Sequence, residues 1–147
     1  MNAINVKRVV VRRLVPGADL LEELNKLVKA EGIELGALSG IGALRKAAVG
    51  IFDLKKREYK VNEFDEEMEI CALTGNVSLK EGGPFVHAHV ALSDREGRGF
   101  GGHLMPGCEV FVAEVILWEF EGARLERRPQ ADCGGLALWA AENIGTE

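Results

Sequence analysis

Pro84-Phe85-Val86-His87-Ala88-His89-Val90-Ala91-Leu92, followed by Gly101-Gly102-His103-Leu104, is the stretch on which the reading of the chain turns. It holds all 3 histidines of the protein. His87 and His89 are spaced i, i+2, so on a β-strand both side chains leave the same face. Ser93-Asp94-Arg95-Glu96-Gly97-Arg98 is a polar, Gly-containing turn signal. A hairpin centred on Glu96 sets His103 opposite His89, and directly opposed Cβ atoms lie about 4.5–5.5 Å apart. Three imidazoles that converge in this way meet the needs of a first-row divalent metal such as Zn²⁺, with an open fourth position. The glycines at Gly99, Gly101 and Gly102 fit either a close backbone approach or space for a ligand.

Upstream, Val6 to Val15 reads as a first strand, rich in valine with Lys and Arg interleaved. Pro16-Gly17 marks a turn. Asp19 precedes Leu20, Leu21, Leu24, Leu27 and Val28, an apolar stripe at helical spacing. Asp19 and Glu22 have the form of a capping box, and Gly32 supplies the stop. This one helix is expected to cover a sheet face. The small residues from Ile33 to Leu44 lack the Lys-Ser/Thr of a phosphate-binding loop and do not make G-x-G-x-x-G, so a strand with a bend under close packing is expected.

Ala47 to Leu54 and Tyr59 to Phe64 read as strands around the polar turn Lys55-Lys56-Arg57-Glu58. Met68 to Leu79 alternates, with a bulge or sharp twist expected at Gly75-Asn76. Lys80 to Pro84 turns into the histidine hairpin. Pro106-Gly107 then leads into the most apolar strand, Glu109 to Phe120. Glu114 sits within that strand amid apolar neighbours. It must be paired, hydrogen-bonded, protonated or exposed, and a fourth-ligand or proton-relay role is the functional alternative. The segment after Pro129, with Leu136, Leu138, Trp139 and Ile144, reads as a short helix or strand docking on the body or on a neighbouring subunit. The division is therefore a domain over residues 1–128 and a tail over 129–147.

One helix against eight or nine strands, mostly antiparallel by turn length, gives an α+β fold: a helix on one face of a strongly bent sheet. So many apolar strand faces under one helix leave surface to be covered by association. The 147 residues suit one domain, with 47% hydrophobic and 28% charged residues. No apolar run reaches the roughly 20 residues of a membrane span, and no signal-peptide pattern opens the chain. Cys71, Cys108 and Cys133 make no C-x-x-C pair and read as small buried hydrophobes of a reducing, cytoplasmic setting, with Cys108 a poor candidate ligand. The net charge of −5 does not advertise a generic nucleic-acid binder. Lys7, Arg8, Arg12 and Arg13 are the local exception, read as a solvated strand face.

The ordered set Gly17-Ala18-Asp19-Leu20, Gly40-Ile41-Gly42-Ala43, Glu69-Ile70 with Thr74-Gly75-Asn76-Val77, His87-Ala88-His89, Gly101-Gly102-His103-Leu104 and Ala113-Glu114-Val115 resembles the plants-and-prokaryotes-conserved (PPC) domain from about Lys7 to about Glu119. The resemblance is to the stand-alone prokaryotic type. It implies an α+β homotrimer joined along sheet edges. It also implies metal ligation, zinc foremost, by His87, His89 and His103 near the subunit interface. In plants the domain follows an Arg-Gly-Arg-Pro AT-hook, which this chain lacks; Arg95-Glu96-Gly97-Arg98-Gly99-Phe100 is its nearest text. The plant Gly-Arg-Phe-Glu-Ile-Leu contact stretch is matched here by Glu66-Glu67-Met68-Glu69-Ile70-Cys71, with two acids in place of Gly and Arg.

The functional expectation is a metal-holding homotrimer acting as a binding or regulatory module, with DNA a partner by resemblance alone. The alternative is a metal-dependent enzyme, hydrolase- or lyase-like, acting on a small molecule at an open zinc position. Glu114 and Asp94 are its only candidate bases. A cupin-type metalloenzyme shares His-x-His but expects a Glu soon after the second His, where this chain has Ala91-Leu92-Ser93-Asp94.

Overall fold

The computed structural model describes residues 4–139. In order these form β1 (Asn5–Arg13), α1 (Leu20–Ala30), β2 (Gly36–Asp53), β3 (Glu58–Phe64), β4 (Met68–Lys80), β5 (Gly83–Ser93), β6 (Gly99–Leu104), β7 (Glu109–Glu121), β8 (Glu126–Pro129), a 3₁₀ turn (Ala131–Cys133) and β9 (Ala137–Trp139). All strands belong to one sheet, in the order β1-β7-β2-β6-β5-β4-β8-β9, with β3 on β2. The expected α+β class, one helix on a bent and mainly antiparallel sheet, is what forms. The bend has a topological cause. β2 pairs with both β4 and β6, β4 pairs with β5, and β5 pairs with β6, so four strands close a circuit.

α1 begins where Asp19 accepts a hydrogen bond from the Glu22 amide at 3.0 Å, and Gly32 leaves the helix at φ +66°. The other Asp19 carboxylate oxygen accepts from the Gly107 and Cys108 amides, fixing the helix entry to the β6–β7 connection. Leu20, Leu24 and Val28 are fully buried along one stripe. Each contributes about 1.5–3 kcal/mol through lost apolar exposure, and Leu24→Ala is expected to cost about 2–5 kcal/mol. The stripe meets Val86, Ala88 and Val90, which with Val10, Leu38, Leu73, Leu104, Val115 and Leu117 make the core. Asn25 reinforces the contact by accepting from the Val86 amide at 3.1 Å.

Several local expectations are corrected. Ile33–Leu44 and Ala47–Leu54 are not two strands; β2 runs unbroken through Arg45-Lys46 because β4 and β7 flank its first half while β3 and β6 flank its second. The bulge lies not at Gly75-Asn76 but between Ile70 and Ala72, where the β4–β5 register slips. Gly75 pairs regularly, and a Cβ there would fall 2.6 Å from the His87 carbonyl oxygen, so glycine answers to close strand approach. Cys71 and Cys133 are exposed, and only Cys108 is buried. β8 runs parallel to β4 up to the start of the tail, and the tail itself supplies β9, antiparallel to β8. Ile144 lies outside the described residues. No helix among the described residues is long and apolar enough to cross a membrane.

Candidate metal centre

The β5–β6 hairpin is registered by its turn. Asp94 is buried, and its carboxylate accepts from the Glu96 and Arg98 amides and from the Arg98 guanidinium. Those bonds hold Ser93 opposite Gly99 and, further along, His89 opposite His103. The centre on Glu96 read from the sequence is the one found. Val86, Ala88 and Val90 turn under α1, so His87 and His89 stand on the sheet face away from the helix. Gly102 lets β6 come close to β2: a Cβ there would lie 2.7 Å from the Gly50 carbonyl oxygen.

The three rings form a near-equilateral set. Centroids are 5.4 Å apart for His87–His89, 5.0 Å for His87–His103 and 5.3 Å for His89–His103. One nitrogen from each lies within 4.8 Å of the others. Ligands of a tetrahedral zinc, at about 2.0–2.1 Å from the ion, lie roughly 3.3–3.4 Å from one another. Small ring rotations close the difference. His103 Nδ1 is buried and has no hydrogen-bond partner among the described residues. A buried imidazole nitrogen left bare is costly, and a cation is the partner that three neutral imidazoles suit.

The electrostatics favour neutral rings at His87 and His103. Burial, then the Arg127 charge, then the other two imidazoles hold His87 down at about 4. Burial, with His89 and Arg127 behind it, also lowers His103. Neutral imidazole is the form that ligates metals. Tyr59, from β3, stacks on His103 with centroids 4.9 Å apart.

Arg127 is the residue that sequence reasoning missed. It comes from β8 and is 6% exposed. Its Nε donates to Ser78 Oγ at 3.0 Å, Nη1 to the Ala137 carbonyl at 3.2 Å, and Nη2 to Asn76 Oδ1 at 2.5 Å. The same Nη2 lies 3.2 Å from His87 Nδ1. Asn76 and Ser78 share a face of β4, and Asn76 is the cross-strand neighbour of His87. The guanidinium also lies near the rings of Phe85 and Trp139, at 5.9 and 5.4 Å. A signal was present in Asn76-Val77-Ser78, two polar residues at strand spacing on the histidine face. The partner lay in a segment with no motif of its own.

The other candidates stand apart. Glu114 is exposed on the outer face of β7, across from Arg13 and Ile41, outside the histidine cluster. Strand alternation turns it outward despite its apolar neighbours in sequence. The buried carboxylate of that strand is Glu119, which accepts from Lys7 at 2.7 Å and from Arg8 at 2.5 Å. Arg12 binds Glu31 at 2.6 Å. The basic cluster of β1 is thus largely spent on carboxylates. Surface clefts of about 620, 520 and 640 Å³ open elsewhere on the molecule, and none is lined by a histidine.

Fold and histidine face together define a small α+β domain with a metal-competent site on the side of the sheet away from its helix. The chain belongs to the Plants and Prokaryotes Conserved (PCC) domain family, whose model matches residues 1–121. It is similar to a plant- and prokaryote-conserved protein from Pyrococcus horikoshii, 45% identical with a TM-score of 0.90, over 95% of this chain and 96% of that one. A metal-containing protein from Archaeoglobus fulgidus is 37% identical with a TM-score of 0.88, over 95% and 98% of the two chains. A Bacteroides thetaiotaomicron structure with a provisional DNA-binding description is 25% identical with a TM-score of 0.84, over 97% and 99%. Among curated proteins it resembles the bifunctional protein GlmU of a Synechococcus strain, 38% identical over 133 residues. That match takes in 89% of this chain but 20% of the relative, so the chain spans about a fifth of the curated relative's length.

Proposed function

We propose that His87, His89 and His103 hold one divalent first-row metal ion, zinc foremost, and that the protein acts as a metal-holding homotrimeric binding or regulatory module. The observation that carries this reading is the set of three imidazole nitrogens within 4.8 Å of one another, on rings that include His103, whose Nδ1 is buried and unpartnered among the described residues. The metal-containing relative from Archaeoglobus fulgidus supports it. The ion would supply Lewis acidity and one open coordination position. The chain's own residues hold His87 and His103 neutral, orient the hairpin through the Asp94 turn and dock Arg127 beside His87.

Trimer formation is supported by the outer face of β1, β7 and β2. There Val9, Val11, Ile41, Phe111 and Ile116 are exposed together, more apolar surface than a monomer comfortably leaves to water. The module reading, with residues 1–128 as the unit and 129–147 as its tail, is supported by the match to a fifth of a longer bifunctional protein. The enzyme alternative draws less support, since Asp94 is engaged by Arg98 and Glu114 stands on the outer face. DNA contact through β1 is opposed by its Glu119 and Glu31 pairings.

Elemental analysis of tag-free protein tests the central point. Wild type is expected to carry one metal per chain and His103→Ala to lose it; unchanged content in the variant overturns the assignment. Light scattering that returns a monomer mass would remove the trimer.

A further inference from the structure

We propose that the histidine cluster and Arg127 together form a binding site for a small oxyanion, a carboxylate or a phosphate, held between the metal and the guanidinium. The inference rests on the metal reading above and adds the class of ligand.

Its first ground is charge. Arg127 is buried, yet no carboxylate pairs with it among the described residues; its partners are a hydroxyl, an amide oxygen, a backbone carbonyl and a neutral imidazole. Of the other nine arginines seven meet an acid, and Arg13 and Arg57, which do not, are exposed to solvent. A buried cation without a counter-ion is costly, and such groups are ordinarily paired. Three neutral histidines bring no negative charge to a divalent ion either. Metal and guanidinium side by side therefore carry a positive excess that the protein's described residues do not answer. An oxyanion answers both, with one oxygen at the open coordination position and another on the guanidinium fork.

The second ground is the proton count at His87. In the structure Arg127 Nη2, a donor only, faces His87 Nδ1 at 3.2 Å, so that nitrogen is the acceptor of a neutral ring. If His87 ligates through Nε2, its remaining proton moves to Nδ1; if it ligates through Nδ1, the lone pair is taken. In both cases Arg127 Nη2 loses an acceptor when the ion enters. A donor of a buried cation is thus released beside the coordination sphere. The indole N–H of Trp139, the β9 partner of Arg127, is a second buried donor without a partner among the described residues. Arg127 comes from β8, past residue 121 where the match to the family model ends.

The test uses the whole chain, tag-free and loaded with Co²⁺, with metal content measured first. Inorganic phosphate is titrated in one arm and acetate in the other, followed by the visible cobalt spectrum and by calorimetry. At least one anion is expected to shift the spectrum and bind, the responding arm naming the oxyanion. Arg127→Met is expected to weaken that binding about tenfold or more, as loss of a charge-assisted contact does. Asn76→Asp gives Arg127 an internal counter-ion with almost no change of shape, and the same loss is expected with metal retained; this variant decides the matter if Arg127→Met does not fold. A loaded wild type that ignores both anions, or variants that bind as wild type does, overturns the oxyanion site and leaves the metal reading standing. A wild type that takes up no metal sinks both.

Discussion

Arg8 and Arg127 are both drawn against the body of the sheet, and they are satisfied in opposite ways. Arg8 joins Lys7 on Glu119 and reaches Glu31 at the end of α1, where its Nη2 also caps the Glu31 carbonyl at 2.6 Å. Each cation of that group, Arg12 included, meets an acid, and the group ties β1, β7 and the helix C-terminus together. Arg127 is more deeply buried and meets only dipoles and rings. Charges that merely hold a fold together come matched. A charge left unmatched in the interior points to something the fold is prepared to receive.

Three changes would break or sharpen that contrast. Glu119→Ala strips the matched cluster of its buried acid and is expected to cost about 1–3 kcal/mol, since both cations can still turn to solvent; urea denaturation at neutral pH reads it, and a loss below measurement would dissolve the contrast. Acid gives a smaller effect with a definite sign. Burial pushes the Glu119 carboxyl up, but hydrogen bonds from Arg8 and Lys7 outweigh it and leave it below its ordinary 4.5. Below about that pH the unfolded chain binds more protons than the folded one. The stability Glu119 contributes is therefore whole above 4.5 and lost as pH falls through its folded value. Melting curves of Glu119→Gln are expected to lack this part of the acid-side decline. Smallest of all is Arg127→Met in metal-free protein. Relief of an unpaired buried charge offsets the lost hydrogen bonds, so its stability is expected within about 1 kcal/mol of wild type. A much larger loss would make Arg127 a structural residue.

What the sequence made legible was local. The His87/His89 spacing, the polar turn around Glu96 and the Asp19 cap each rest on strand period, turn chemistry or a contact three residues away, and each forms as read. The misreadings share a cause in distant pairing. Arg45-Lys46 looked like a break because nothing local shows that β2 is clasped from both sides. The sequence leaves Glu114 between pairing and exposure because its neighbours there are apolar, and the pleat decides it by burying Ala113 and Val115 and turning Glu114 out. Glu119 passed unnoticed because its partners lie on β1, and Arg127 because β8 finds β4 in parallel with no turn to announce it. The family resemblance agreed with the fold class and the three histidines read from the residues, and its motifs end before the arginine.

The parallel seating of β8 on β4 also sets an order of events during synthesis. His87, His89 and His103 leave the ribosome before Arg127, so the nascent chain passes through a stage in which the imidazole face stands bare and Ser78 lies uncovered. The side-chain partners of that guanidinium, Asn76, Ser78 and His87, are all in the chain before Arg127 itself arrives.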